Sequence, residues 1–226
     1  MKRNIQIPAS LIFWMAAAAD IIGITTNNSG LHYIAKPLLI PILLVLLAGT
    51  KTTAPRKYLL LTGLFFSWVG DMFLLFENRN ALFFIFGLVA FLTTHIFYII
   101  YFLKIRSNAV SLLKKQPLLI ALVLGYGVTL VYILFPHLGD LKIPVMVYAA
   151  VICTMLLCSL HVFFKVNKPA NGLYITGAVF FVLSDSLLAL NKFYQPFAYA
   201  GVLIMGTYCA AQYFIVSGFI KQQPND

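Results

Sequence analysis

Eight apolar runs, each about twenty residues long, dominate this chain: residues 8–25, 33–49, 57–76, 81–103, 117–135, 143–164, 172–190 and 197–220. A helix of about 20 residues crosses the hydrocarbon core of a bilayer, and a helix satisfies every backbone polar group within its own segment. The expected fold class is therefore an all-α integral membrane protein of eight transmembrane helices. With 226 residues there is room for these spans and short loops, so a separate soluble domain is excluded and one transmembrane domain over residues 1–226 is expected. Composition agrees, with 62% hydrophobic residues, 10% charged residues and a mean hydropathy of +0.93.

The breaks between runs, at 26–30, 52–55, 77–80, 136–140, 168–172 and 191–196, carry the Gly, Pro, Asn and Asp chemistry of turns. A formal net charge of +10 would suggest nucleic acid in a soluble chain, but the cations fall in the loops and mostly on one side. With the N-terminus inside, twelve of the Lys and Arg residues, Arg56, Lys104 and Lys165 among them, occupy cytoplasmic segments, against Arg79, Lys142 and Lys192 opposite. Lys and Arg in short loops are retained on the cytoplasmic side, so both termini are expected there. Nucleic acid is not an expected partner; membrane lipids are. Lys2 and Arg3 before an apolar stretch, with Ala17-Ala18-Ala19 after it, resemble a signal peptide. The apolar core from Pro8 to Met15 is too meagre for that reading, and cleavage would destroy the even span count. Cys153, Cys158 and Cys209 lie inside apolar runs at spacings that fit no metal or redox motif.

An internal repeat organises the chain. A shift of 114 residues lays Lys51 on Lys165, Pro55 on Pro169, Thr62 on Thr176, Gly63 on Gly177, Asp71 on Asp185 and Gly87 on Gly201 without a gap. Both copies run in the same direction through the membrane, the pattern of a parallel repeat. The fold is thus expected as two parallel four-helix repeats, with halves at approximately 1–110 and 111–226, and with Asp71 and Asp185 as equivalent acids contributed to a shared centre.

Ionisable residues inside the membrane are costly and mark function or partners. Asp20, Lys36, Asp71 and Asp185 lie about three to five residues from the outer end of their runs, which at 1.5 Å per residue is a single layer some 5–8 Å below the outer boundary. Three acids against one base leave an acid suited to donate a proton. The bland alternative is a set of interhelical ion pairs that only lock helices. Gly63, Ser67 and Asp71 share one face, Ser184 and Ser186 flank Asp185, Gly87, Phe91 and His95 form a stripe continued by Tyr98, and Tyr208 and Gln212 form a polar i, i+4 pair. Metalloprotease, serine hydrolase and nucleotide-binding motifs do not occur. No cofactor or metal is called for, since His95 sits nearer midplane than the acids.

Ala35-Lys36-Pro37, Ser67-x-x-Gly70-Asp71, Phe86-Gly87-x-x-x-Phe91-x-x-x-His95-x-x-Tyr98, Ser184-Asp185 and Thr207-Tyr208-x-x-x-Gln212 together resemble the motif set of the YhhN family, whose animal members are lysoplasmalogenases. The resemblance spans residues from about 35 to 217 and implies an ether hydrolase: cleavage of the vinyl ether bond of a lysoplasmalogen, with a lysophospholipid as substrate. It matches Lys36, Asp71, His95, Tyr98, Asp185, Tyr208 and Gln212 to the family's polar positions; Asp20 matches none. Asp71 and Asp185 are the expected catalytic acids, with Lys36, Ser67, His95, Tyr98, Ser184, Tyr208 and Gln212 supporting them or binding substrate.

Two rival classes are a small-molecule transporter, which would break its helices at the site, and a scaffold held by ion pairs. The runs around Asp71 and Asp185 are unbroken, whereas Pro37 and Pro41 occur in the second run. The expected location is the inner membrane of a bacterium, with a cavity open to the outer leaflet and the lipid tail running past Phe91 and His95.

Overall fold

In a computed structural model the described residues are 3–50, 56–105 and 107–222. The break at 52–55, the repeat pairings of Lys51 and Pro55, and the charges of Lys2 and Arg106 lie outside them. Among the described residues there is no strand, and eight helices are long and apolar enough to cross a membrane. The protein is an all-α integral membrane protein. It divides into two compact units, Met1–Tyr98 and Ile99–Asp226.

The first unit holds α1 (Arg3–Thr25), α2 (Ser29–Ala48), α3 (Arg56–Leu75) and α4 (Ala81–Leu103), the last continuing past the unit's boundary. Helices α1 and α2 form a tight hairpin. Asn27 takes the left-handed conformation at φ 53°, which Asn tolerates better than most residues, and the Asn28 side chain caps α2 by accepting from Leu31 N at 3.1 Å. Gly23 permits the close approach, because a methyl group there would stand 2.8 Å from His32 N.

Helix α2 contains Pro37 and Pro41. Pro41 has no N–H to give to the carbonyl four residues back, and that carbonyl, Pro37 O, accepts instead from Trp68 Nε1 on α3 at 3.0 Å. Helices α3 and α4 pack antiparallel through small residues facing large ones. A methyl at Gly63 would meet the Tyr98 ring at 2.5 Å, one at Gly70 the Phe91 ring at 2.8 Å, and one at Gly87 the Leu74 side chain at 2.8 Å. Thr94 Oγ1 crosses the same seam to Gly63 O at 3.0 Å.

The second unit comprises a one-turn α5 (Leu112–Lys115), α6 (Leu118–Leu134), α7 (Lys142–His161), α8 (Lys168–Ala189) and α9 (Ala200–Lys221). Short 3-10 turns at Phe135–His137 and Gly139–Leu141 join α6 to α7, with Gly139 at φ 52°. Two segments that read as breaks in the sequence are helical here. Residues 168–172 form the first turn of α8, because a proline at a helix start forfeits no intrahelical bond. Residues 190–194 extend α8 as a wide π turn closed by Gln195 N donating to Leu190 O at 3.0 Å. A methyl at Gly177 would lie 3.0 Å from Ala211 O, so α9 packs directly on the α8 backbone. Near the end of α9 the hydroxyls of Tyr101 and Tyr174 lie 2.5 Å apart, and both reach Gln222 Oε1, at 3.0 and 2.8 Å.

Candidate active site

In the first unit the helical period puts Gly63, Ser67 and Asp71 on one stripe of α3. Ser67 and Asp71 are buried, at 0% and 2% exposure, as are His95 and Tyr98 on α4 and Lys36 on α2. The chain thus buries a carboxyl, an ammonium, an imidazole and a phenol inside membrane-spanning helices, where such groups are expensive to keep. Tyr98 reaches α3 because Gly63 has no side chain. Asp20, also fully buried, is partnered not by Lys36 but by His32, whose Nδ1–H donates to Asp20 Oδ1 at 2.7 Å. His32 stands one helical turn before Lys36, and a turn's spacing on a helix that packs against α1 is the sequence signal for it.

In the second unit Asp185 sits on α8, four residues before its end, and is partly buried. The Tyr148 hydroxyl on α7 donates to Asp185 Oδ2 at 2.5 Å. Ser184 and Ser186 flank the acid but face away from it. Ser184 Oγ donates to Ile204 O on α9 at 3.0 Å, while Ser186 Oγ donates to Val182 O at 2.6 Å and accepts from the Tyr126 hydroxyl at 2.8 Å. Successive helical residues point about 100° apart, so the neighbours of a carboxyl aimed at α7 must look elsewhere. On α9, Tyr208 and Gln212 are buried, and the Tyr208 ring meets Phe181 edge to face at 5.8 Å.

Asp185, Tyr148, Tyr126 and Ser186 line a cavity of about 40 Å³. Beside it, along α6 and α7, runs an apolar groove of about 740 Å³. Phe91 and His95, past which the sequence leads one to expect a lipid tail, are both buried in the first unit, with the Phe91 ring filling the space over Gly70. Among the described residues no group of three or more His, Cys, Asp or Glu side chains is arranged to hold a metal ion, and the three cysteines are buried free thiols.

The sequence is similar to human lysoplasmalogenase TMEM86A, 33% identical over 185 residues covering 77% of this chain and 70% of that one. It is also similar to a Mycobacterium bovis lysoplasmalogenase, 30% identical over 83% of this chain and 71% of the relative. An uncharacterised Escherichia coli membrane protein, YhhN, is 26% identical over 93% of this chain and 95% of its own. No solved structure matches the chain significantly. The sequence profile of the YhhN family matches residues 31–219, a stretch that runs from the first turn of α2 to the last turn of α9 and takes in each acid, base and phenol of the candidate site except Asp20; the chain belongs to the YhhN family.

Proposed function

We propose that this protein is a membrane-embedded ether hydrolase that cleaves the vinyl ether bond of lysoplasmalogens. The observation that carries the reading is the similarity to lysoplasmalogenases from human and mycobacterial sources over most of the chain, joined to carboxyls held within membrane-spanning helices. The substrate is a lysophospholipid drawn from the surrounding bilayer. Its vinyl ether lies beside the glycerol, close beneath the membrane surface.

The reaction needs two carboxyl groups in unlike states. A protonated carboxyl delivers its proton to the β-carbon of the vinyl ether, leaving an oxocarbenium ion. An ionised carboxyl stabilises that cation and takes a proton from the water that attacks the α-carbon. The resulting hemiacetal collapses to a fatty aldehyde and a glycerophospho-headgroup, so one water is consumed and no redox partner is required. We assign these two parts to Asp71 and Asp185. Tyr148 positions the Asp185 carboxyl through its 2.5 Å hydrogen bond. His95 and Tyr98 orient water, and Lys36 holds the substrate phosphate or tunes an acid. Ser67, Ser184, Tyr208 and Gln212 support the helices that carry these groups. Helices α3 and α8 run unbroken through Asp71 and Asp185, unlike the broken helices at transporter sites.

The same reading takes α1 to α4 and α6 to α9 as two copies of one unit, with both termini cytoplasmic in a bacterial inner membrane. It is supported by the gapless 114-residue match and the one-sided cations, and by Gly63 and Gly177, equivalent in that match, each standing at a helix-pair contact. The test is to incubate the purified protein with lysoplasmalogen and with its alkyl-ether counterpart and to assay aldehyde. Cleavage of the vinyl ether alone, lost in Asp71→Asn and in Asp185→Asn, is expected. Substantial activity in both variants would refute the assignment.

A further inference from the structure

The large groove of the second unit has no part in the chemistry above, yet it adjoins the cavity that holds Asp185. The two cavities share Gly127, Val131, Ala149 and Cys153 as walls. The divide is close-packed: residue 127 has no side chain, and a methyl there would stand 2.7 Å from Cys153 Sγ. On one side are the Asp185 carboxyl and the Tyr148 hydroxyl; on the other is an open, apolar trough.

The trough has the dimensions of a lipid chain. Along α6 its lining runs from Leu124 to Ile133, nine helical steps or about 14 Å at the helical rise. One leaflet of a hydrocarbon core about 30 Å thick is about 15 Å deep, so a single chain spans that distance. Ligand chains of this kind need a long, apolar concavity with polar groups at one end. In a vinyl ether lipid the reacting carbons are the first two of the chain, so the seat of the chain must begin where the acid is.

We propose that the α6–α7 groove seats the hydrocarbon chain of the single-chain lipid substrate, with the Gly127 and Cys153 divide setting its first carbons against Asp185. This inference rests on the lysoplasmalogenase reading, and it makes α6 and α7 the determinants of chain length. Ala150, exposed on the groove side of α7 and outside the Asp185 cavity, is the residue through which chain length can be altered without touching the acid.

Two measurements test it. The first uses a non-cleavable alkyl-ether lysophosphocholine with a diazirine at the chain end, photolysed with the intact protein in nanodiscs. The expected label falls on α6 and α7 and is displaced by excess unlabelled lysolipid; label on α1 to α4, or label that only a diacyl phospholipid displaces, overturns the proposal. The second is Ala150→Trp, which narrows the trough. The ratio of cleavage rates for sixteen-carbon over eight-carbon vinyl ether chains is expected to fall about tenfold or more, and an unchanged ratio overturns the proposal. If the wild-type protein cleaves neither chain, the activity assignment fails, while the labelling still decides where the chain sits.

Discussion

Trp68 Nε1 donates to the carbonyl oxygen of Pro37 at 3.0 Å, occupying the position that the missing N–H of Pro41 leaves empty in α2. Removing the donor leaves a partly buried carbonyl without its partner, which costs about 1–3 kcal/mol. Trp68→Phe is therefore expected to lower the unfolding midpoint in detergent. In a Pro41→Ala background, where an N–H returns to α2, the same substitution should cost markedly less. Equal losses in both backgrounds would show that the indole contributes by packing alone.

Tyr148 donates to Asp185 at 2.5 Å and, under the proposed function, positions its carboxyl. Tyr148→Phe keeps the ring and removes the hydroxyl, so kcat for aldehyde release is expected to fall roughly 10- to 100-fold, with KM little changed. Because the two side chains act as a unit, the double variant with Asp185→Asn should be no slower than Asp185→Asn alone. Additive losses would separate their roles.

The glycines divide by what surrounds them. Gly177 has Ala211 O at 3.0 Å from the site of a methyl group, whereas Gly125 has nothing within 4 Å. Gly177→Ala should destabilise by about 1–3 kcal/mol through overpacking against backbone. Gly125→Ala should be neutral or stabilising by up to about 1 kcal/mol through helix propensity. Thermal unfolding of the two variants in one detergent reads the contrast directly.

Asp20 and His32 staple α1 to α2. Asp20→Asn weakens a charge-assisted hydrogen bond and is expected to cost roughly 1.5–3 kcal/mol of stability. Asp20 lies before the family match at 31–219, so kcat/KM of the folded variant should stay close to wild type, in contrast to Asp71→Asn. A folded Asp20→Asn protein without activity would bring Asp20 into the chemistry.

The spans are legible in the sequence because each is a hydrophobic run bounded by turn residues, and Asp71 and Asp185 because a carboxyl stands out in such a run. Local chemistry misleads at both ends of α8. Lys168-Pro169 reads as a stop and is a helix start, since proline is harmless in a first turn. Asn191 to Tyr194 reads as a loop and is a π turn. Partners are harder. Tyr148 is one more aromatic among apolar neighbours until α7 packs on α8, and His32 looks like a loop residue until the Asn27 turn folds α2 back on α1. Trp68 can be matched to Pro37 only once Pro41 is seen to leave that carbonyl unanswered. Such pairings depend on rotation of helices about their axes, which composition and run length do not encode.

The convergence of Tyr101, Tyr174 and Gln222 governs how this protein can be handled. Two phenols with 1% and 0% exposure share one amide oxygen, and that oxygen belongs to a residue just past the last helix. A fluorescent or alkaline phosphatase reporter joined after Gln222 keeps that acceptor, and there a cytoplasmic signal is the one the cation pattern calls for. A reporter that replaces Gln222 instead takes away the acceptor that both hydroxyls share and would report on a perturbed bundle, so side of membrane and loss of folding would be confounded in a single reading.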